Sequence, residues 1–263
     1  MTNIYKQSAK TILNGYWLRS ITVVMFTLGV SYFPAIIMQI VLALTETPVQ
    51  STIGTAFLLF GSAVGTLLAA PVSLGFNRIL WLRTDGQAPS LSEVLYLYGN
   101  PRLLLKYLGL YILKTLIVAV PAGVVASPAL IITVALEGYL DSANELMVAV
   151  ISLGMLALFF IATLLLVLQS VRYSLLDFVF IKHSDKSVGF ILSACSKLCL
   201  KRFKLIVSIY FSFIGWILLN ATGFGQLYTT PYLSAALASA ARQFNVQDEY
   251  NDGLAEKTEV APV

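Results

Sequence analysis

Long charge-free runs divide this chain into blocks. Residues 21–44, 47–77, 115–136, 146–171 and 205–241 contain no Asp, Glu, Lys or Arg. The hydrocarbon core of a bilayer, about 30 Å thick, takes roughly 20 apolar residues as helix, so each run is long enough to cross one. The pattern predicts spans at 21–44, kinked at Pro34, and at 52–77, 107–136, 146–170 and 205–222. A sixth, Ala/Ser-rich segment at 232–241 is about 15 Å long as helix. It reads as a short span extended by 243–246, or as a re-entrant segment. The fold class that follows is all-α: a polytopic membrane helical bundle of about six segments, with short cytoplasmic interfacial helices.

Three stretches carry a different period. Residues 1–20 set Ile4, Tyr5, Ile12, Leu13, Tyr16 and Trp17 against Lys6, Lys10 and Arg19, as in an amphipathic helix lying in the interface. The apolar run that follows is longer than the roughly 7–15 residues of a cleavable leader, and no small-x-small site closes it. Ser90-Leu91-Ser92-Glu93 has capping-box spacing and predicts a short helix that Gly99-Asn100-Pro101 ends. Between Ser187 and Leu200, the apolar positions Val188, Ile191, Leu192, Cys195, Leu198 and Cys199 repeat at helical spacing. Pro121, Gly123 and Pro128 fall inside the third span, which is therefore expected to be bent or broken. Residues 243–263 hold Asp248, Glu249, Asp252, Glu256 and Glu259 against Lys257, and read as an acidic cytoplasmic tail without fixed structure. The chain thus divides into an interfacial helix (1–20), a transmembrane domain (21–242) and the tail (243–263).

Composition closes off a soluble reading: 58% of residues are hydrophobic and 11% charged, against about 25% charged in soluble domains. The net charge of +4 sits beside the apolar runs. Anionic lipid headgroups, rather than nucleic acid, are the expected counter-charge. Of the 17 Lys and Arg residues, only Lys114 falls inside a span; alternate threading puts all the others on one side. The opposite loops carry Glu46, Glu137, Asp141 and Glu145 and no basic residue. By the positive-inside rule both termini are cytoplasmic. The two basic stretches share a plan of span, basic residues, interfacial helix, basic residues, span. That plan reads either as parallel repeats, 52–136 and 146–225, or as a coincidence of ordinary loop lengths.

Three groups of residues together carry a family resemblance. They are Ser8-Ala9-Lys10 with Leu13-Asn14-Gly15-Tyr16-Trp17; Pro71-Val72-Ser73-Leu74-Gly75-Phe76 with Leu80-Trp81-Leu82-Arg83; and Arg172-Tyr173-Ser174 followed by Phe213-Ile214-Gly215-Trp216 and Thr230-Pro231-Tyr232. In this order they resemble an uncharacterised bacterial integral-membrane family, a domain of unknown function. That family is distantly similar to the membrane domain attached to some glycerophosphodiester phosphodiesterases. The resemblance runs to about Ala241. It implies a multispan protein of the bacterial plasma membrane and carries no catalytic residue with it.

The residues offer little for catalysis. His183 is the single histidine, and there is no phosphate-binding Gly-rich loop, His-Glu-x-x-His or Gly-x-Ser-x-Gly. Cys195 and Cys199 share a helical face but make up no four-ligand metal set; they read as small apolar fillers. The chain therefore reads as a non-enzyme with no cofactor. Gly61-Ser62-Ala63-Val64-Gly65 reads as a helix-packing surface. Ionisable residues within or at the edge of hydrocarbon are costly and mark functional positions, which singles out Arg78, Asp177 and Lys114. Lys114 either snorkels to the interface or is a buried functional lysine. Arg78 and Asp177 hold equivalent places before Arg83 and Lys182. They either pair across the bundle or are separate interfacial charges, Asp177 then pairing with Lys182 or Arg172.

Two functions fit. One is a permease-like or export-associated component for a small or lipid-like substrate. The other is a scaffold that organises lipids or a partner membrane protein. For the topology, single cysteines introduced at Ser142 and Ser184 in a cysteine-free background should label from the outside and the inside respectively. The reverse pattern would overturn the orientation.

Overall fold

The computed structural model describes the backbone of residues 2–136, 145–220 and 223–259, and the side chains of these apart from 2, 130, 133–136, 145–146 and 245–259. Every regular element in it is helical. Helices α1 (Thr2–Leu13), α2 (Trp17–Leu44) and α3 (Thr52–Thr84) lead to a 3-10 helix, Leu91–Gly99. Then follow α4 (Pro101–Leu136), α5 (Glu145–Arg172), α6 (Leu176–Lys182), α7 (Val188–Lys201), α8 (Phe203–Ser212), α9 (Ile214–Leu219) and α10 (Gly225–Glu259).

Two antiparallel hairpins, α2–α3 and α4–α5, form the long axis, and they meet chiefly through α3 and α4. The first hairpin turns at 45–51, where Glu46 takes a left-handed φ of 51°. Ser51 opens α3 by accepting from the Gly54 amide at 3.0 Å, the usual closure of a free N-terminal donor. Along the hairpin the backbones approach closely at Gly61 and Gly65. A side chain at Gly65 would collide with the Ser31 carbonyl of α2, so these small residues are packing surfaces, as expected. The acidic loop at 137–144 between α4 and α5 lies outside the described residues.

Among the described residues, four stretches are long and apolar enough to cross a membrane: Trp17–Leu44, Thr52–Thr84, Pro101–Ala129 and Met147–Lys182. The protein itself covers only 17%, 39%, 11% and 6% of their most apolar windows. The large apolar surface left over is the signature of a lipid-facing helix, since a soluble monomer rarely exposes apolar patches of such extent.

Four candidates among the described residues are fewer than the six segments expected. The fifth run breaks at Phe213 into α8 and α9, ten and six residues long, and neither piece reaches across at about 1.5 Å per residue. The sixth is not a separate segment. It is the buried, alanine-rich part of α10, and Ala235, Ala236, Ala238, Ala240 and Ala241 are all fully covered. Where the sequence suggests a tail without fixed structure from 243, the backbone of α10 continues as helix to Glu259. Pro121 and Pro128 likewise lie within a continuous α4 rather than at a break.

Burial concentrates at one end of the hairpins, where α2 and α4 begin and α3 and α5 finish. There α1, the 3-10 helix, α6, α7, α8 and the first part of α10 build a core around Leu13, Leu74, Ile79, Leu97, Leu110, Phe180 and Ile191. Helix α1 does not lie free in an interface. Its apolar face (Tyr5, Ala9, Ile12, Leu13) is buried and packs mainly on α10. Arg83 of α3 holds its last turn, the Nε donating to the Ile12 carbonyl at 2.6 Å and the Nη2 to that of Asn14 at 3.2 Å. Lys6 donates in turn to the Ser212 carbonyl that ends α8. Lys106 does the same for Ser184 at 2.7 Å.

The predicted helices at 90–98 and 187–200 are both present. Ser187 caps α7 through the Phe190 amide at 3.3 Å. The capping box at Ser90 does not form: Ser90 Oγ lies 2.6 Å from Ser92 Oγ, and Glu93 is engaged elsewhere. Contact with α3 fixes this 3-10 helix instead. Gly75 lets α3 touch the Val94 backbone directly, and the Tyr98 hydroxyl donates to the Leu68 carbonyl at 2.8 Å, one turn before Pro71, which lies inside the continuous α3.

A methyl added at Gly75 has nowhere to go. Gly75→Ala should destabilise the protein by about 1–3 kcal/mol, the usual range for overpacking, and lower its melting temperature in detergent. Gly109→Ala, where an added methyl meets nothing, is the control and should shift stability by less than about 1 kcal/mol.

Candidate functional site

Where α5 ends, the chain makes a turn that brings polar groups to the junction of the two hairpins. Arg172 closes α5, its Nε donating to Ser196 Oγ of α7 at 2.6 Å. Residues 173–175 turn, and α6 restarts with Asp177 in its first turn. The neighbours of Asp177 on α6, namely Leu176, Phe178, Val179 and Phe180, are buried, and Phe178 stacks on Trp81 of α3 at 6.0 Å. That packing presses α6 onto α3 and turns Asp177 toward polar partners.

Those partners are neutral. Asn77 Nδ2 donates to Asp177 Oδ2 at 2.6 Å, and the Tyr107 hydroxyl to Oδ1 at 2.9 Å. Tyr107 is fully buried, with its ring edge-on to Phe180 at 5.1 Å. Asp177 therefore ties three elements together: α3 through Asn77, α4 through Tyr107, and its own α6.

Arg78, expected to pair with Asp177, takes a different carboxylate. Its Nε lies 2.9 Å from Glu93 Oε2, an ion contact in which the N–H is not aimed at the oxygen. Its guanidinium lies 4.0 Å from the centre of the Tyr96 ring. Burial pushes the Tyr96 phenol up, and the adjacent Arg78 pulls it down. Arg78 thus fastens the 3-10 helix to α3, a structural role.

Lys114 lies seven residues beyond Tyr107, on the same helical face as Tyr111. Its Nζ is 5.8 Å from the Tyr111 ring centre. It lines a cleft of about 450 Å³ between α4, α5 and α8. Tyr111, Lys114, Thr115, Val118 and Ala119 supply the α4 wall; Leu166 and Ser170 of α5, Ser174 of the turn and Tyr210 of α8 complete it. The Ser174 hydroxyl is buried without a hydrogen bond of good geometry, although it lies beside the Tyr210 hydroxyl and the Cys199 thiol.

Under this region, Cys195 and Cys199 of α7 face each other with sulfurs 3.9 Å apart. The Cys195 thiol is pushed well up, first by its hydrogen bond to Cys199 and then by burial. Lys114 and Asp177 also act on it, in opposite senses, so both charges of the site lie within electrostatic reach of one thiol. No group of three or more His, Cys, Asp or Glu side chains that could hold a metal ion occurs among the described residues.

A larger, open cleft of about 1280 Å³ lies between α1, the end of α3 and α10. Its two guanidiniums are committed to structure. Arg83 holds the end of α1, and Arg242 Nη2 pairs with Asp85 Oδ1 at 2.7 Å. The smaller cleft brings Lys114 together with the hydroxyl-bearing side chains of Tyr111, Thr115, Ser170, Ser174 and Tyr210.

Of the three residues the sequence singles out, Asp177 and Lys114 sit at this junction, and Arg78 serves the 3-10 helix. Asn77, Tyr107, Ser170, Ser174 and Tyr210 escape the sequence reading. Part of the signal is there: Tyr107, Tyr111 and Lys114 recur at i, i+4 and i+7, one polar face on an otherwise apolar helix. No protein family, curated protein or solved structure matches the chain.

Double-mutant cycles on thermal stability separate the two pairings. Tyr107→Phe and Asp177→Ala should couple by about 0.5–3 kcal/mol, as contacting residues do. Arg78→Ala and Asp177→Ala should add to within about 0.5 kcal/mol. Strong coupling in the second cycle would restore the expected ion pair.

Proposed function

We propose that this is a non-enzymatic, multispan plasma-membrane protein acting as a permease-like or export-associated component for a small or lipid-like substrate. The observation that carries the reading is the cleft of about 450 Å³ at Lys114, a volume within the roughly 300–1,000 Å³ of small-molecule sites. A lysine and five hydroxyl-bearing side chains lining a cavity in otherwise apolar helices are costly in hydrocarbon, and such groups persist chiefly where they serve a substrate path. The resemblance to an uncharacterised bacterial membrane family supports the bacterial plasma membrane. The distribution of Lys and Arg supports cytoplasmic termini and a core end facing the cytoplasm, against anionic headgroups.

A second reading, a scaffold for lipids or a partner membrane protein, draws on the slight coverage of α4 and α5, 11% and 6% of their apolar windows. Such faces suit lateral association as well as lipid.

Flux through proteoliposomes decides between them. Vesicles carrying the full chain should move a fluorescent phosphatidylglycerol analogue, or one of a panel of small organic anions, faster than protein-free vesicles. Lys114→Met should abolish the increment while leaving the melting temperature within a few degrees. Equal rates with and without protein across the whole panel would reject the permease and leave the scaffold.

A further inference from the structure

The Lys114 cleft is polar at one end and apolar at the other, and the order follows from the directions of its helices. Helix α4 runs away from the core, so Tyr111 and Lys114 lie nearer the core than Val118 and Ala119. Helix α5 runs toward it, so Ser170 and the following Ser174 lie nearer than Leu166. The cation and the hydroxyls therefore gather at the core end, and the apolar wall extends along the spans.

Resting on the permease reading above, we propose that this cleft binds a phosphate-bearing amphiphile, its anionic headgroup on Lys114 and its chain lying outward along α4 and α5. Three features point to that ligand, and the last of them favours it over a free anion. A single ammonium is a point charge suited to one phosphate oxygen. Ser170, Ser174 and Tyr210 carry hydroxyl groups in the same cleft for the others. The apolar wall at Val118, Ala119 and Leu166 would gain nothing from inorganic phosphate, but it covers the first methylenes of a chain, whose burial is favourable. Asp177, the carboxylate of this junction, already accepts from Asn77 and Tyr107, which leaves the Lys114 charge for a ligand.

Native mass spectrometry of the detergent-solubilised full chain tests this with phosphatidylglycerol, phosphatidylcholine and free glycerol phosphate as probes. Phosphatidylglycerol should be retained in preference to both others. Lys114→Met should reduce that preference about tenfold, equivalent to about 1.4 kcal/mol. Lys114→Arg should keep most of it, Ser174→Ala should reduce it less than Lys114→Met, and Lys10→Ala, on the exposed face of α1, should leave it unchanged. Retained Lys114→Arg binding distinguishes loss of charge from loss of fold if Lys114→Met proves unstable. Equal retention of phosphatidylcholine or of free glycerol phosphate overturns the proposal, as does a Lys114→Met protein with undiminished preference. Binding that depends on Lys114 without any flux upholds the site and rejects the permease. Lys114-dependent flux of an uncharged amphiphile does the opposite.

Discussion

A helix leaves its last carbonyls without partners inside the helix, and where helix ends are packed against one another, water cannot supply the missing donors. Several helices of this protein end in a single crowded core, so the constraint applies repeatedly. Arg83 meets the end of α1, Lys6 the end of α8, and Lys106 the turn after α6. In the first two cases a cation from a distant part of the sequence reaches a negative helix end, which the helix dipole favours; Lys106 ties down the turn that follows one. Residues whose placement reads as an orientation signal thus have a second task inside the molecule. They join the N-terminal helix to α3 and α8, and the second hairpin to the turn after α6.

Much of this architecture is written in the sequence. The first four apolar runs become helices because nothing in them offers the backbone an alternative to its own hydrogen bonds. Their length distinguishes a span from a core helix. The fifth run fails the same test for a reason composition hides: the helix is interrupted at Phe213, and a fully buried phenylalanine at the break draws the chain into the core. The alanines of α10 look like a weak span, yet their small size is what lets α10 sit against α1, α2 and α3.

The site was half legible. Placing Arg78 and Asp177 at equivalent positions identified the right junction and the wrong partner by one residue. Neighbours on a helix point about 100° apart, so Asn77 faces α6 while Arg78 faces the 3-10 helix. No charge count resolves that, since the choice depends on how α3 is rotated, and Gly75, Ile79 and Trp81 set that rotation through their packing. The polar cleft escaped for another reason: it is assembled from α4, α5 and α8, three segments far apart in the chain, with hydroxyl groups that no charge pattern marks.

Helix α3 is 33 residues long, about 50 Å at helical rise, while hydrocarbon is about 30 Å deep. Its final third is built into the core, and the two hairpins are joined at that end rather than along their length. Each hairpin is therefore a lever anchored at one end. Bilayer thickness is accommodated by tilting spans at a modest cost per ångström, and a join at one end constrains the relative tilt of two hairpins less than a join along their length would. The junction of α3, α4 and α6 is the fulcrum, and the Lys114 cleft lies just beyond it. Both long walls of that cleft, α4 and α5, belong to the second hairpin, so a change in the angle between the hairpins would leave those walls in register with each other.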